Sequence, residues 1–352
     1  MRIAGVTSFP RLALAICLGV TAANAAPIGL VLSGGGAKGA YEVGVWQELQ
    51  AAGLSSNVAV ISGTSVGALN AALFATRPDA AEQLWLEKME DVFTINTNRV
   101  GESIQRTLND ISNAVDVAEK TGENWRGVAS FVLASLVRVA DNYVKTVESP
   151  EMTFGYIDSS KFAAALDDAL PRAWPASTPV VYATAVEKGG IKSSKTWRLN
   201  SESPERRSLM IRASAAFPQA FDAVSIDGKV YVDGGWESKG GNNAPLKPIL
   251  EHHPEIKTVL IVYLSDARRI DVVRRFENRI AAHKFGVTPV EIVPTEDIDG
   301  PFRLGMFDAS IITARRLIAL GRRDARKALE GARKALEEAG LKLQGANVPH
   351  DG

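Results

Sequence analysis

The feature that most constrains this chain is the pentapeptide Gly63-Thr64-Ser65-Val66-Gly67. It follows a short apolar, β-branched run, Asn57-Val58-Ala59-Val60-Ile61, and opens a small-residue stretch from Ser65 to Ala75 that stops before Pro78. Strand, tight turn, helix is the expected local order. A Gly-x-Ser-x-Gly pentapeptide in that setting holds its serine on a sharp turn with the hydroxyl exposed, and only glycines let neighbouring backbone come close enough. The serine also sits at a helix N-terminus, where partial positive charge favours a developing anion. Ser65 therefore reads as a nucleophile, with Gly63 and Gly67 as the glycines that permit its turn.

Such a serine needs donors for an oxyanion and a base for its proton. A second glycine run, Gly34-Gly35-Gly36-Ala37-Lys38-Gly39, follows the apolar strand Ile28-Gly29-Leu30-Val31-Leu32. It leads into a helix with apolar positions Tyr41, Val45 and Leu49 that ends near Gly53. The backbone N–H groups of Gly35 and Gly36 can converge on one anionic oxygen. Lys38 adds a positive charge, either as a contact that orders the loop or in catalysis.

The chain has four histidines, His252, His253, His283 and His350. None stands in a glycine-punctuated turn after a strand, and all four read as solvated surface residues. Asp233 is the better base. It ends the strand-like run Lys229-Val230-Tyr231-Val232 and precedes Gly234-Gly235, a sharp turn at a strand end. A carboxylate there can take the serine proton directly if burial raises its pKa.

Taken in order, Gly-Gly-Gly-Ala-Lys-Gly at 34–39, Gly-Thr-Ser-Val-Gly at 63–67 and Asp-Gly-Gly at 233–235 resemble the patatin-like phospholipase family. Ala213-Ser214-Ala215-Ala216-Phe217-Pro218, then Phe221 and Ile226-Asp227-Gly228, resemble the family's approach to its aspartate. Asn243-Ala244-Pro245 resembles the stretch that follows it. The likeness extends over about residues 27–335. It implies a Ser–Asp dyad of Ser65 and Asp233, with Gly34, Gly35 and Gly36 forming the oxyanion hole. Lys38, Gly39, Gly63, Gly67, Gly234 and Gly235 would support it. It also implies lipid acyl hydrolysis through an acyl-enzyme, with no metal or other cofactor. The substrate would be a phospholipid or other acyl lipid met at a membrane surface. Two departures stand out: Trp236-Glu237-Ser238-Lys239-Gly240-Gly241 separates Asp-Gly-Gly from Asn243, and residues 91–150 carry no matching motif.

The N-terminus has the pattern of a secretory signal. Arg2 and Arg11 bracket the start, Leu12 to Val20 are apolar, and Ala23-Asn24-Ala25 offers a small-residue cleavage site. Ile16 before Cys17, inside the apolar core, argues against a lipid anchor. Cleavage after Ala25 would remove the only cysteine, so no disulfide could form; export from a bacterial cytoplasm to the periplasm or beyond is expected. Charges balance at 40 basic and 40 acidic residues, which gives no argument for nucleic acid as a partner. No later run is long and apolar enough to span a membrane.

Strands expected at 28–32, 57–61, 179–186, 229–232 and 258–264 alternate with helical stretches. This predicts an α/β class with a largely parallel sheet, in three α/β/α layers as in the patatin-like fold, and the site at the strand C-termini. One domain over residues 26–352, with an insertion or lid at about 91–150, is expected because Ser65 and Asp233 must meet. Within it, the apolar run Val128 to Val137 is either a buried helix or a lid that docks on lipid. Asp308 to Leu343 reads as packed amphipathic helix with Arg315, Arg316, Arg322, Arg323 and Lys327 outward, and Glu296-Asp297-Ile298-Asp299 as an ordinary acidic turn rather than a calcium loop.

Three rival readings compete with this one. Gly34-x-Gly36-x-x-Gly39 satisfies a dinucleotide fingerprint, but the next strand ends in Ile61-Ser62-Gly63 with no acid to hold a ribose. A Ser–His–Asp α/β-hydrolase would need a suitably placed late histidine. A catalytically silent lipid-binding scaffold is opposed by the intact serine, aspartate and glycine loop.

Overall fold

In the computed structural model of the chain, the residues described are 26–94, 155, 157–189, 194–218, 220–236, 240–265, 272–299 and 305–344. The expected signal segment 1–25, most of the expected insertion at 91–150 with its apolar run, and His350 lie outside them.

Among the described residues eight strands form one sheet: β1 (Ile28–Leu32), β2 (Val58–Thr64), β3 (Val180–Glu187), β4 (Ser194–Arg198), β5 (Val224–Ile226), β6 (Lys229–Asp233), β7 (Thr258–Val262) and β8 (Thr288–Ile292). Pairings run β5-β6-β3-β2-β1-β7-β8, with β4 also on β3. β3, β2, β1, β7 and β8 are mutually parallel, whereas β4, β5 and β6 are joined by antiparallel pairs. The parallel strands read as continuous apolar runs because both of their faces are covered.

Strand alternation sorts that apolar sequence into two cores. Ile28, Leu30 and Leu32 point into one together with Leu260 and Val262, while Val31, Val259 and Ile261 point into the other. The first core is roofed by α1 (Ala40–Ala51), α2 (Val66–Thr76), α3 (Pro78–Glu87), α5 (Ser159–Ala169), α6 (Pro204–Ser214) and the long α9 (Ile311–Glu338). A single turn, α4 (Met89–Val92), joins this side. The second core lies under α7 (Lys247–His252) and α8 (Val272–Lys284). Three layers with a largely parallel sheet result, as expected.

The C-terminal stretch is the single helix α9. Its Arg315, Arg316, Arg322, Arg323 and Lys327 are exposed, and its other face packs on α1. There the backbones nearly touch: a Cβ on Gly44 would fall 1.9 Å from the Ile318 carbonyl oxygen, and one on Gly321 2.0 Å from that of Tyr41.

Three strands go beyond the expectation. β4 (Ser-Lys-Thr-Trp-Arg) is polar because it is largely exposed, β5 is only three residues long, and β8 contains a proline at the sheet edge. β2 also runs further than Ile61, through Ser62, Gly63 and Thr64, because this polar end pairs with β3 and is fully buried.

Candidate active site

The sheet register brings Ser65 and Asp233 together. β4 pairs with β3 over Tyr182–Val186 and so occupies one edge of that strand. β2, pairing over Val180–Thr184, and β6, pairing over Ala185–Glu187, must then share the other edge in succession. The last residue of β2, Thr64, lies opposite Thr184; the last residue of β6, Asp233, lies opposite the next residue, Ala185. Two strands running in opposite directions thus end head to head, and the residues at their ends meet across 168 positions of sequence.

Ser65 occupies the turn between β2 and α2 with φ 56° and ψ −127°. A non-glycine residue there is strained, and such strain persists only where surroundings over-determine it. They do. The Ser65 N–H donates to Ser214 Oγ at 2.8 Å, and Ser214 Oγ donates in turn to the Thr184 carbonyl at 2.5 Å. Gly63 and Gly67 face each other across the turn: a Cβ on Gly63 would sit 2.2 Å from the Gly67 carbonyl oxygen.

Asp233 is buried at 3% exposure. Its Oδ1 accepts the Gly235 N–H at 2.7 Å, while its Oδ2 is buried with no hydrogen-bond partner among the described residues. Burial pushes its pKa up from 3.8 to about 6, with the Ser65 hydroxyl and the Gly235 amide pulling the other way. Gly234 is packed against β3, where a Cβ would lie 2.0 Å from the Thr184 carbonyl oxygen. The Asp233 and Gly234 N–H groups donate to the Ala216 and Ser214 carbonyls.

The glycine loop divides into two parts. The Gly34 N–H is already bonded to Asn243, to both its side-chain and its backbone oxygen at 3.1 Å, and Asn243 Nδ2 donates back to the Gly34 carbonyl at 3.2 Å. Gly34 is therefore not a free oxyanion donor as the family resemblance implied. It is clamped, and a Cβ on it would fall 2.9 Å from Ser65 Cβ. The Gly35 and Gly36 amides carry no hydrogen bond among the described residues. Gly36 adopts φ +59°, with the Met306 carbonyl oxygen 2.3 Å from where a Cβ would be. Gly39 packs against Val66 and Trp85.

Lys38 makes an ion pair with its Nζ 2.5 Å from Asp299 Oδ1, both side chains buried, a contact of the loop-ordering kind. The acidic turn 296–299 thus also holds the glycine loop, through Asp299 and Lys38. Glu296 meanwhile pairs with Arg323 on α9. Beneath the elbow, Asn70 of α2 donates to the Gly39 carbonyl at 3.0 Å and to Glu42 Oε2 at 2.8 Å, and it accepts from Trp85 Nε1 at 2.9 Å.

Ser65 and Asp233 stand at the polar end of a cavity of about 330 Å³, within the usual size of a small-molecule site. Its remaining walls are apolar, including Leu69, Met89, Val92, Phe93, Phe162 and Phe221. Val92 and Phe93, the described start of the 91–150 segment, belong to that wall. No histidine lines it among the described residues. His253 departs from the expected solvated state: it bonds Tyr182 Oη at 3.1 Å and Glu255 at 3.0 Å, with its side chain 13% exposed. His252 and His283 are exposed. Among the described residues no group of three or more His, Cys, Asp or Glu is placed to hold a metal.

The sequence passed over Asn243 and Ser214 as site residues. Each acts through a contact distant in sequence, 209 and 149 positions away, with no local signal beyond the family-like stretches that contain them.

The chain is 44% identical to lysophospholipase nte1 of Aspergillus terreus over 71 residues, a match that covers 20% of this chain and 4% of that relative. Among solved structures it resembles VipD from Legionella pneumophila (15% identity, TM-score 0.41, 87% of this chain and 67% of that one). It also resembles human GIVD cytosolic phospholipase A2 (10% identity, TM-score 0.46, 90% and 60%). The sequence model described as patatin-like phospholipase matches residues 30–248, from β1 into α7. That span is narrower than the 27–335 suggested by the motifs, leaving β7, α8, β8 and α9 outside it, but it holds Ser65, Asp233 and the glycine loop. The chain belongs to the patatin-like phospholipase family.

Proposed function

We propose that this protein is a lipid acyl hydrolase of the phospholipase A or lysophospholipase type, working through a Ser65–Asp233 dyad. The observation that carries the reading is the unpartnered, buried Oδ2 of Asp233 beside the strained Ser65, at the one polar end of an apolar cavity. Asp233 takes the proton of Ser65 as Oγ attacks the ester carbonyl. The Gly35 and Gly36 amides receive the oxyanion, assisted by the N-terminus of α2. Collapse breaks the ester C–O bond, and Asp233 returns the proton to the leaving alcohol. Water, deprotonated by Asp233, then attacks the acyl-enzyme to release the fatty acid and restore Ser65. The apolar walls take the acyl chain, while Gly34 and Asn243 keep the loop in register with Ser65.

The direct test is hydrolysis of phosphatidylcholine and lysophosphatidylcholine, in the presence of chelator, by wild type and Ser65→Ala. Chelator-insensitive turnover that drops by about 10⁵-fold in the variant is expected. Wild-type turnover by a folded Ser65→Ala protein would overturn the assignment.

We also propose that residues 1–25 direct export of the chain from a bacterial cytoplasm, on the charged, apolar and small-residue order of that segment. N-terminal sequencing of the protein recovered outside the cytoplasm should begin at Ala26.

A further inference from the structure

α8 is amphipathic and is mounted the wrong way round for a soluble fold. A surface helix ordinarily turns its apolar stripe to the core. Here the side that meets the protein is the polar one. Asn278 is buried and donates to the Ala244 carbonyl and to Tyr263 Oη, each at 3.2 Å. Arg275 and Arg279 both bond Glu291 of β8, and Arg274 reaches the Gly241 carbonyl at 3.4 Å. At about 100° per residue, the arc opposite Asn278 and Ala282 carries Val273, Phe276 and Ile280. These are 67%, 64% and 54% exposed, and Val272 beside them is 53% exposed.

We propose that this outward stripe of α8 docks the protein on a lipid bilayer. The inference rests on the lipid acyl hydrolase reading and names the face through which that substrate is met. Three features select a bilayer. First, the exposed Lys284 borders the stripe next to Ile280, where a long side chain can carry its cation to the phosphates while the apolar side chains enter the interface. Second, α8 is bonded to the loop that builds the site: Gly241 and Ala244, the acceptors of Arg274 and Asn278, bracket Asn243, which clamps Gly34. Third, the cavity's own lining carries exposed aromatic rings, Phe217 at 37% and Phe307 at 40%. Since Arg274 pairs with Glu277 and Arg275 and Arg279 share Glu291, most of the helix's positive charge is neutralised. Apolar insertion rather than charge then supplies the affinity, and added anionic lipid strengthens binding only slightly.

The test uses full-length mature protein carrying Ser65→Ala, so that vesicles stay intact, with and without Val273→Ser, Phe276→Ser and Ile280→Ser together. Partition to phosphatidylcholine vesicles, with and without phosphatidylglycerol, is read by co-sedimentation. The expected result is a loss of partition of about tenfold or more in the triple variant on both vesicles. In the Ser65 background, the same triple variant should keep its kcat/KM on a short-chain, water-soluble ester. Equal partition of both proteins, or none by either, would overturn the proposal. So would a dimer that dissociates in the triple variant while vesicle binding persists, which would assign the face to a second copy of the chain. Failure of the wild type to hydrolyse the soluble ester would sink the hydrolase reading instead and leave the partition result to judge the docking face.

Discussion

Asp233 and Glu42 are both buried carboxyl groups, and they differ in what surrounds them. Asp233 ends β6 with one oxygen held by Gly235 and the other unpartnered beside Ser65 at the cavity. Glu42 lies in α1 beneath the glycine loop, where Oε2 accepts from Asn70 and Oε1 is unpartnered. Burial raises both pKa values, that of Asp233 to about 6 and that of Glu42 well above the usual carboxylate range. Yet Glu42 lines no part of the cavity. A displaced pKa therefore does not single out the base; access to Ser65 and a value close enough to neutrality to ionise do. Glu42 helps join α1 to α2 through its bond to Asn70.

Substitutions can break this contrast. Asp233→Asn should lower kcat/KM by roughly 10²–10⁴-fold and at the same time stabilise the fold. The folded pKa lies above the unfolded 3.8, so the aspartate's contribution is most favourable below pH 3.8 and is lost as pH rises through about 6. Removing the buried charge should then raise stability at pH 8 by up to about 3 kcal/mol, with the gain fading toward pH 4. Thermal unfolding at the two pH values checks both the sign and the trend. Gly36→Ala meets a positive φ and the Met306 carbonyl, and should cost roughly 10²-fold in kcat as an oxyanion donor moves. Asn70→Ala leaves Trp85 and Gly39 without their bonds and should cost about 1–3 kcal/mol in denaturant unfolding. Glu42→Gln keeps the side chain's size at a position away from the cavity and should leave kcat/KM nearly unchanged, whereas a loss comparable to that of Asp233→Asn would erase the distinction. The smallest effect is expected for His253→Ala: unchanged kcat/KM and about 1 kcal/mol of stability from its bonds to Tyr182 and Glu255.

What the sequence makes legible here is what is encoded locally. The Ser65 elbow, the glycine loop and the Asp233 turn each show within a few residues, because each needs glycine at fixed offsets. β1 and β7 show as unbroken apolar runs because both faces are buried. The contacts that complete the site are not local: Asn243 to Gly34, Ser214 to Ser65 and Asp299 to Lys38 depend on the register of distant strands. α8 and α9 supply the sharpest lesson. Both are basic and amphipathic, yet α9 buries Leu317, Ile318 and Leu329 while α8 buries Asn278 and turns Phe276 outward. Periodicity reports that a helix has two faces and is silent on which one meets the protein.

The central claim is that Asp233 is the base for Ser65, and the most direct measurement is the pH dependence of kcat/KM on a water-soluble ester for wild type and Asp233→Asn. The wild-type rate should fall as pH drops through about 6, where Asp233 takes up a proton, and the residual rate of the variant should lack that limb. The same acid limb in both proteins, at comparable rates, would assign the base to another group.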